Sequence, residues 1–121
     1  MIFSKEYLVN EKDTAKEMGS GDLEVLATPK VVAMVENTAK DYLNNKLSEY
    51  ETSVGIAIEL NHLKPSMVGA VIQVKLLEIS QNKNKTYFQF EVYENQCLIA
   101  KGTHTRATVI TQDFLTNLEK K

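Results

Sequence analysis

A threonine, a glutamate and a histidine stand at Thr28, Glu36 and His62. Together they offer a hydroxyl, a carboxylate and an imidazole, the groups on which acyl transfer and hydrolysis draw. Each has a plain reading beside the chemical one. Thr28 precedes Pro29, which reads as a helix N-cap followed by proline in the first turn. A helix start also presents unpaired N–H groups and the positive end of the helix dipole, which suit an oxyanion or a carboxylate. Glu36 would neighbour Val32, Ala33, Ala39 and Lys40 on that helix. It is either an exposed partner of Lys40 or a carboxylate at the rim of the apolar stripe, placed to act as a base or nucleophile. His62 lies in Leu60-Asn61-His62-Leu63-Lys64-Pro65. There it is either a polar loop residue or a general acid/base.

Three further residues bear on the same chemistry. Gly55 interrupts an apolar alternating segment, which implies a bulge or a close approach of something to the backbone. His104 and Arg106 fall on one face of the last strand, in Gly102-Thr103-His104-Thr105-Arg106-Ala107. That face is either solvated or, if covered, places Arg106 to hold a carboxylate or phosphate.

The elements that must position these groups are legible from periodicity. Residues 3–9 read as an edge-like first strand, and residues 10–21 as a polar connection placed to cover a pocket. From Thr28, the residues Val31, Val32, Met34, Val35, Thr38, Ala39, Tyr42 and Leu43 keep a helical period that closes near Asn44-Asn45. This helix is apolar enough to be buried on more than one side. Four strands follow, over residues 52–60, 68–80, 86–93 and 97–110. In the first of them Val54, Ile56, Ile58 and Leu60 share a face; in the second, Ala70, Ile72, Val74 and Leu76; in the third, Phe88, Phe90 and Val92. Turns at Gln81-Asn82-Lys83-Asn84 and Glu94-Asn95-Gln96 make the last three an antiparallel meander. The tail, residues 112–121, reads as one short helix. One long helix and an antiparallel sheet curled about it make an α+β architecture.

Composition bounds the function. The chain has 121 residues, 43% hydrophobic and 25% charged, which fits one soluble globular domain over residues 1–121. The formal net charge is −2 and the cations are scattered, so no nucleic-acid partner is expected. No apolar run reaches the roughly 20 residues of a membrane span and residues 1–10 do not read as a secretory signal, so a cytoplasmic location without membrane association is expected. The single Cys97 allows no internal disulfide and no cysteine-built zinc site, and it is expected to be a small buried hydrophobe.

The chain resembles the hotdog-fold thioesterases, in the branch that contains fluoroacetyl-CoA thioesterase. The likeness runs from about residue 27 to residue 110. It rests on the Thr28, Glu36 and His62 spacing, on Ser53-Val54-Gly55-Ile56-Ala57-Ile58 followed by His62, Pro65 and Gly69, and on the 102–107 segment. The resemblance implies a sheet of about five strands wrapped around one long central helix. It also implies an acyl-CoA substrate and a homodimer with sites near the subunit interface, with further pairing into tetramers left open. It makes Thr28, Glu36 and His62 catalytic, with Glu36 activating water or attacking the thioester. Gly55, Gly69, His104 and Arg106 would be substrate-binding. No cofactor or metal is implied, coenzyme A being part of the substrate. Lys30, Lys64 and Lys101 are the candidate cations for its nucleotide end. One departure is visible: the branch carries a phenylalanine-bearing segment ahead of its threonine, and residues 19–25 here contain no aromatic. The expectation is therefore a thioesterase for a small or medium acyl group rather than one selective for fluoroacetate.

Two other readings differ in class. A hotdog hydratase would place an aspartate and a histidine near the helix start, where this chain has no histidine. A non-catalytic acyl-CoA or acyl-carrier binding module would share the fold without turnover.

Overall fold

A computed structural model describes residues 1–121. The chain order is β1 (Phe3–Leu8), a 3-10 turn at Glu11–Asp13, α1 (Ala15–Met18), α2 (Thr28–Asn44), β2 (Glu51–His62), β3 (Val71–Asn82), β4 (Lys85–Glu94), β5 (Cys97–Ile110) and α3 (Thr111–Glu119). The strands form one antiparallel sheet in the order β1-β3-β4-β5-β2. The 10–21 connection is thus partly helical, and β3 begins at Val71 rather than Val68. The cause lies in the turn before it: Gly69 adopts φ 95°, a conformation open to glycine. Its N–H is tied to the Val9 carbonyl at 2.9 Å.

The core forms where α2 lies on the sheet. Val31, Met34, Val35, Thr38, Ala39 and Leu43 face inward from α2. They meet Ile72, Val74, Leu76, Phe88, Phe90 and Val92, all essentially without solvent contact. Full burial of such a side chain stabilises by about 1.5–3 kcal/mol. A polar seam fastens β1 to the same helix. The Lys5 ammonium donates to Asn37 Oδ1 at 2.6 Å and pairs with Asp41, and the Tyr7 hydroxyl donates to the Met34 carbonyl at 3.1 Å. Burial pushes the Tyr7 phenol above its ordinary pKa.

The chain covers α2 on one stripe only. Pro29 and Ala33 are exposed, while Val32 and Glu36 are half-buried, so a second face remains open. β2 is an edge strand of 12 residues, longer than the six of the other edge, β1.

The alternation expected in β2 fails at its centre. The register with β5 shifts between Gly55, opposite Arg106, and Ala57, opposite Thr105. The extra residue, Ile56, is 50% exposed, while Ile58 and Leu60 pack on the core and Ser53 is buried. A bulge inserts one residue and so reverses which face the residues before it occupy. That is why Val54 and Ile56 do not share the inward face with Ile58. Gly102 in β5 permits the close contact with β2, since a Cβ there would lie 1.9 Å from the Glu59 carbonyl oxygen. Cys97, expected to be buried, is exposed at the start of β5.

Candidate active site

Thr28 is the first residue of α2 rather than its cap. The N-cap is Ala27, which is buried and anchored by its own N–H to the Asp13 carbonyl at 3.0 Å. The Ala27 carbonyl accepts from the N–H groups of Lys30 and Val31 at 3.0 and 3.1 Å. The Thr28 hydroxyl is thereby released from capping, and it lies 2.8 Å from His62 Nδ1. β2 runs antiparallel to α2, so its last residue, His62, arrives at the helix start. The other ring nitrogen, Nε2, is buried without a hydrogen-bond partner. Burial lowers the His62 pKa below 6.5, with the Lys64 backbone opposing this in part. The ring is therefore neutral near pH 7, able to take up or pass on a proton.

A cavity of about 280 Å³ opens at this pair, lined by Thr28, Pro29, His62 and Leu63–Pro65 together with Ala15, Ser20, Val25 and Leu26. The connection before α2 thus does wall a pocket. No aromatic residue lines it. Lys64 stands exposed at its rim, and Lys101 is exposed on β5. Lys30 is engaged by the buried Asp13 at 3.5 Å. A cavity of about 710 Å³ over β3, β4 and β5, with Tyr87, Thr103 and His104 in its lining, contains none of Thr28, Glu36 or His62.

Glu36 lies two turns further along α2, about 12 Å on, beside the β2 bulge. It does not pair with Lys40, which meets Asp41 at 3.1 Å. Its Oε2 is instead 3.9 Å from Arg106 Nη1, with 43% of the glutamate side chain exposed against 8% of the arginine. Gly55 makes this possible. A Cβ at that position would stand 2.6 Å from Glu36 Oε2, 3.2 Å from Arg106 Nη1 and 3.3 Å from His104 Cε1. The glycine serves both readings offered by the sequence, as a bulge and as a close approach.

The face that carries His104 and Arg106 is covered, so the solvated alternative does not hold. Arg106 donates from Nε to Ser53 Oγ at 2.9 Å and from Nη2 to the Ser53 carbonyl at 3.2 Å. Its Nη1 lies 3.2 Å from His104 Nε2, and His104 Nδ1 lies 2.8 Å from the Ala57 carbonyl. Burial lowers the pKa of both side chains; for His104 the Ala57 carbonyl opposes this, while for Arg106 Glu36 opposes it. Ser53 and the Ala57 carbonyl complete this cluster, and periodicity alone does not find them. The available signal was a serine two residues before an in-strand glycine. Gly69 shapes its turn, and the space beside it is open. It is not brought to either group.

One long helix wrapped by an antiparallel sheet in this strand order is the hotdog architecture. The chain belongs to the fluoroacetyl-CoA-specific thioesterase FlK family, whose sequence profile matches residues 9–112. It is by that membership an acyl-CoA thioester hydrolase. No curated protein sequence matches the chain significantly. Among solved structures, the chain is similar to a point mutant of the fluoroacetyl-CoA-specific thioesterase FlK in complex with fluoroacetate and CoA. That likeness has a TM-score of 0.91 at 22% identity, over 98% of this chain and 97% of that one. A Thermus thermophilus thioesterase-superfamily member gives 0.84 at 21% identity, over 98% and 88%. A Bacillus halodurans protein with CoA gives 0.73 at 15% identity, over 88% and 67%. At these identities the structural likenesses establish the fold.

Proposed function

We propose that this protein hydrolyses a small or medium acyl-CoA thioester to the free acid and CoA, with Glu36 as the carboxylate that activates water or attacks the carbonyl. The observation that carries this reading is the Glu36 carboxylate itself. It remains partly open to solvent and is held 3.9 Å from a buried arginine that it does not bind in a closed pair. A carboxylate in that position keeps lone pairs open toward solvent while a fixed guanidinium stands on its other side. Thr28 and His62 act at the other end of the site. A neutral His62 first takes up a proton and, as the imidazolium, gives it to the departing thiolate, and the Thr28 hydroxyl orients its ring. Gly55 and Arg106 flank the acyl group, and His104 backs Arg106 from the interior. Lys64, exposed at the cavity rim, is the cation best placed for the CoA nucleotide; Lys101 is the further candidate.

The active unit is a homodimer built through β2, in the cytoplasm, with residues 1–121 as one domain. The open β2 edge, the exposed Ile56 and the uncovered stripe of α2 lie together. Strand addition across a twofold axis would cover all three. Light scattering should give twice 13.6 kDa; a monomer at assay concentration would refute this part.

The test is thiol release from a panel of short to long acyl-CoAs, run with wild type and Glu36→Ala together. Turnover by wild type that is lost in the variant, with binding retained, supports the assignment. Binding without release of CoA by wild type on any member would leave a non-catalytic acyl-CoA binding module.

A further inference from the structure

We propose that His104 is a positioning residue: held in its Nδ1–H tautomer by the bulged carbonyl of Ala57, it fixes the direction in which the Arg106 guanidinium faces Glu36. The inference rests on the reading of Glu36 and Arg106 as part of the active site.

The tautomer follows from donor and acceptor inventories. A guanidinium has donors only, so the contact from Arg106 Nη1 to His104 Nε2 at 3.2 Å requires a lone pair on Nε2. The ring proton must then sit on Nδ1, where the Ala57 carbonyl at 2.8 Å accepts it. That carbonyl follows the extra residue of the β2 bulge, so the irregularity that creates space at Gly55 also supplies the group that orients the ring. Phe88 lies beside the imidazole with ring centroids 6.1 Å apart and planes 24° from parallel. With 1% exposure, no water competes for either nitrogen.

The consequence falls on Arg106. Its Nε and one Nη2 hydrogen are taken by Ser53, and one Nη1 hydrogen by His104. One hydrogen on each terminal nitrogen remains, with Nη1 the nitrogen that faces Glu36. Without an acceptor at Nε2, the guanidinium could rotate about its last bonds and either close on Glu36 or withdraw from it. The charged groups facing His104 are Arg106 from its own strand and Glu36 from α2. Ala57 of β2 and Phe88 of β4 bring none.

Two substitutions separate the halves of this device. In His104→Gln the amide oxygen can stand near Nε2, keeping an acceptor for Arg106 while losing the donor to Ala57. In His104→Asn the shorter side chain can keep the donor to Ala57 and loses the acceptor for Arg106. His104→Asn should lower kcat about a hundredfold with little change in KM, as expected of a group misplaced by about 1 Å. His104→Gln should stay within about tenfold of wild type, the equivalent of one neutral hydrogen bond. Melting temperatures would be measured alongside. Equal kcat values for the two variants at equal folded fraction would overturn the proposal. Nitrogen-15 NMR of the wild-type imidazoles gives an independent reading, and the chain has two histidines to assign. The expected result is a protonated Nδ1 and an unprotonated Nε2 at His104 from about pH 8 to about pH 6. The Nε2–H tautomer would refute the proposal even if neither variant folds. Absence of turnover by wild type on every acyl-CoA would count against the proposed function, while the NMR result would still decide the tautomer.

Discussion

The two ends of the site are built on the same pair of elements and differ in how tightly they are fixed. At the start of α2, Thr28 and His62 share a single hydrogen bond beside a cavity, and His62 Nε2 has no partner. At the middle of α2, Glu36 faces a buried assembly in which Arg106 is held by Ser53 and His104, and His104 by the Ala57 carbonyl. The first pair has a ring nitrogen left unsatisfied. The second has spent nearly all of its capacity on internal order, and only the glutamate remains partly open. Rigid placement of charge is what preorganised electrostatics require, whereas a proton carrier needs an unsatisfied atom. In the proposed mechanism the difference divides the labour: charge at the flank, proton handling at the helix start.

Substitutions that attack one end at a time test this division. The largest effect is expected from Glu36→Ala, a loss of kcat on the order of a thousandfold, as for removal of a general base. Binding of a non-hydrolysable acyl-CoA analogue, measured by calorimetry, should persist. His62→Ala should follow at about a hundredfold, with a change in the shape of the kcat pH profile that Glu36→Ala does not reproduce. Gly55→Ala probes the flank by volume alone. Its Cβ would enter the space held by Glu36 Oε2 at 2.6 Å, and a displaced carboxylate should cost about a hundredfold in kcat while circular dichroism stays unchanged. Thr28→Ala should cost about tenfold, roughly one hydrogen bond, and Thr28→Ser should restore most of it. Since Ala27 caps the helix, the melting temperature of Thr28→Ala should hardly move. A marked loss of stability there would mean that the hydroxyl serves the helix rather than His62.

The smallest effect is one of stability with pH. Burial lowers the pKa of both histidines from 6.5. Below that value the unfolded chain binds protons that the folded chain resists, so the histidines' contribution is complete above about pH 6.5 and is lost as pH falls through it toward the lower folded-state values. Thermal melts from about pH 8 down to about pH 5 should show this decline. His104→Gln should flatten it more than His62→Ala, because His104 is the more deeply buried ring. An equal response from both variants would erase the contrast between the tight end and the loose one.

Much of this was present in the order of residue types. The helical period from Val31 to Leu43 and the alternations Ile72-Val74-Leu76 and Phe88-Phe90-Val92 determine the long helix and the central strands, because each regular element repeats its inward face at a fixed spacing. The limits of β5, residues 97–110, were legible to the residue. The types of the site residues, and their likeness to a family pattern, were also in the chain. Local pattern could not decide what depends on contacts across the fold. Thr28 yielded the cap to Ala27 because the Asp13 carbonyl, distant in sequence, anchors Ala27. Ile56 turned outward because the bulge at Gly55 reversed the strand's phase. His104 and Arg106 became interior because α2 and β2 cover them, and Ser53 joined their cluster only by facing Arg106. Periodicity reports how one segment divides its faces. Which groups meet across segments, and which are left open for chemistry, is set by packing that only the tertiary structure contains.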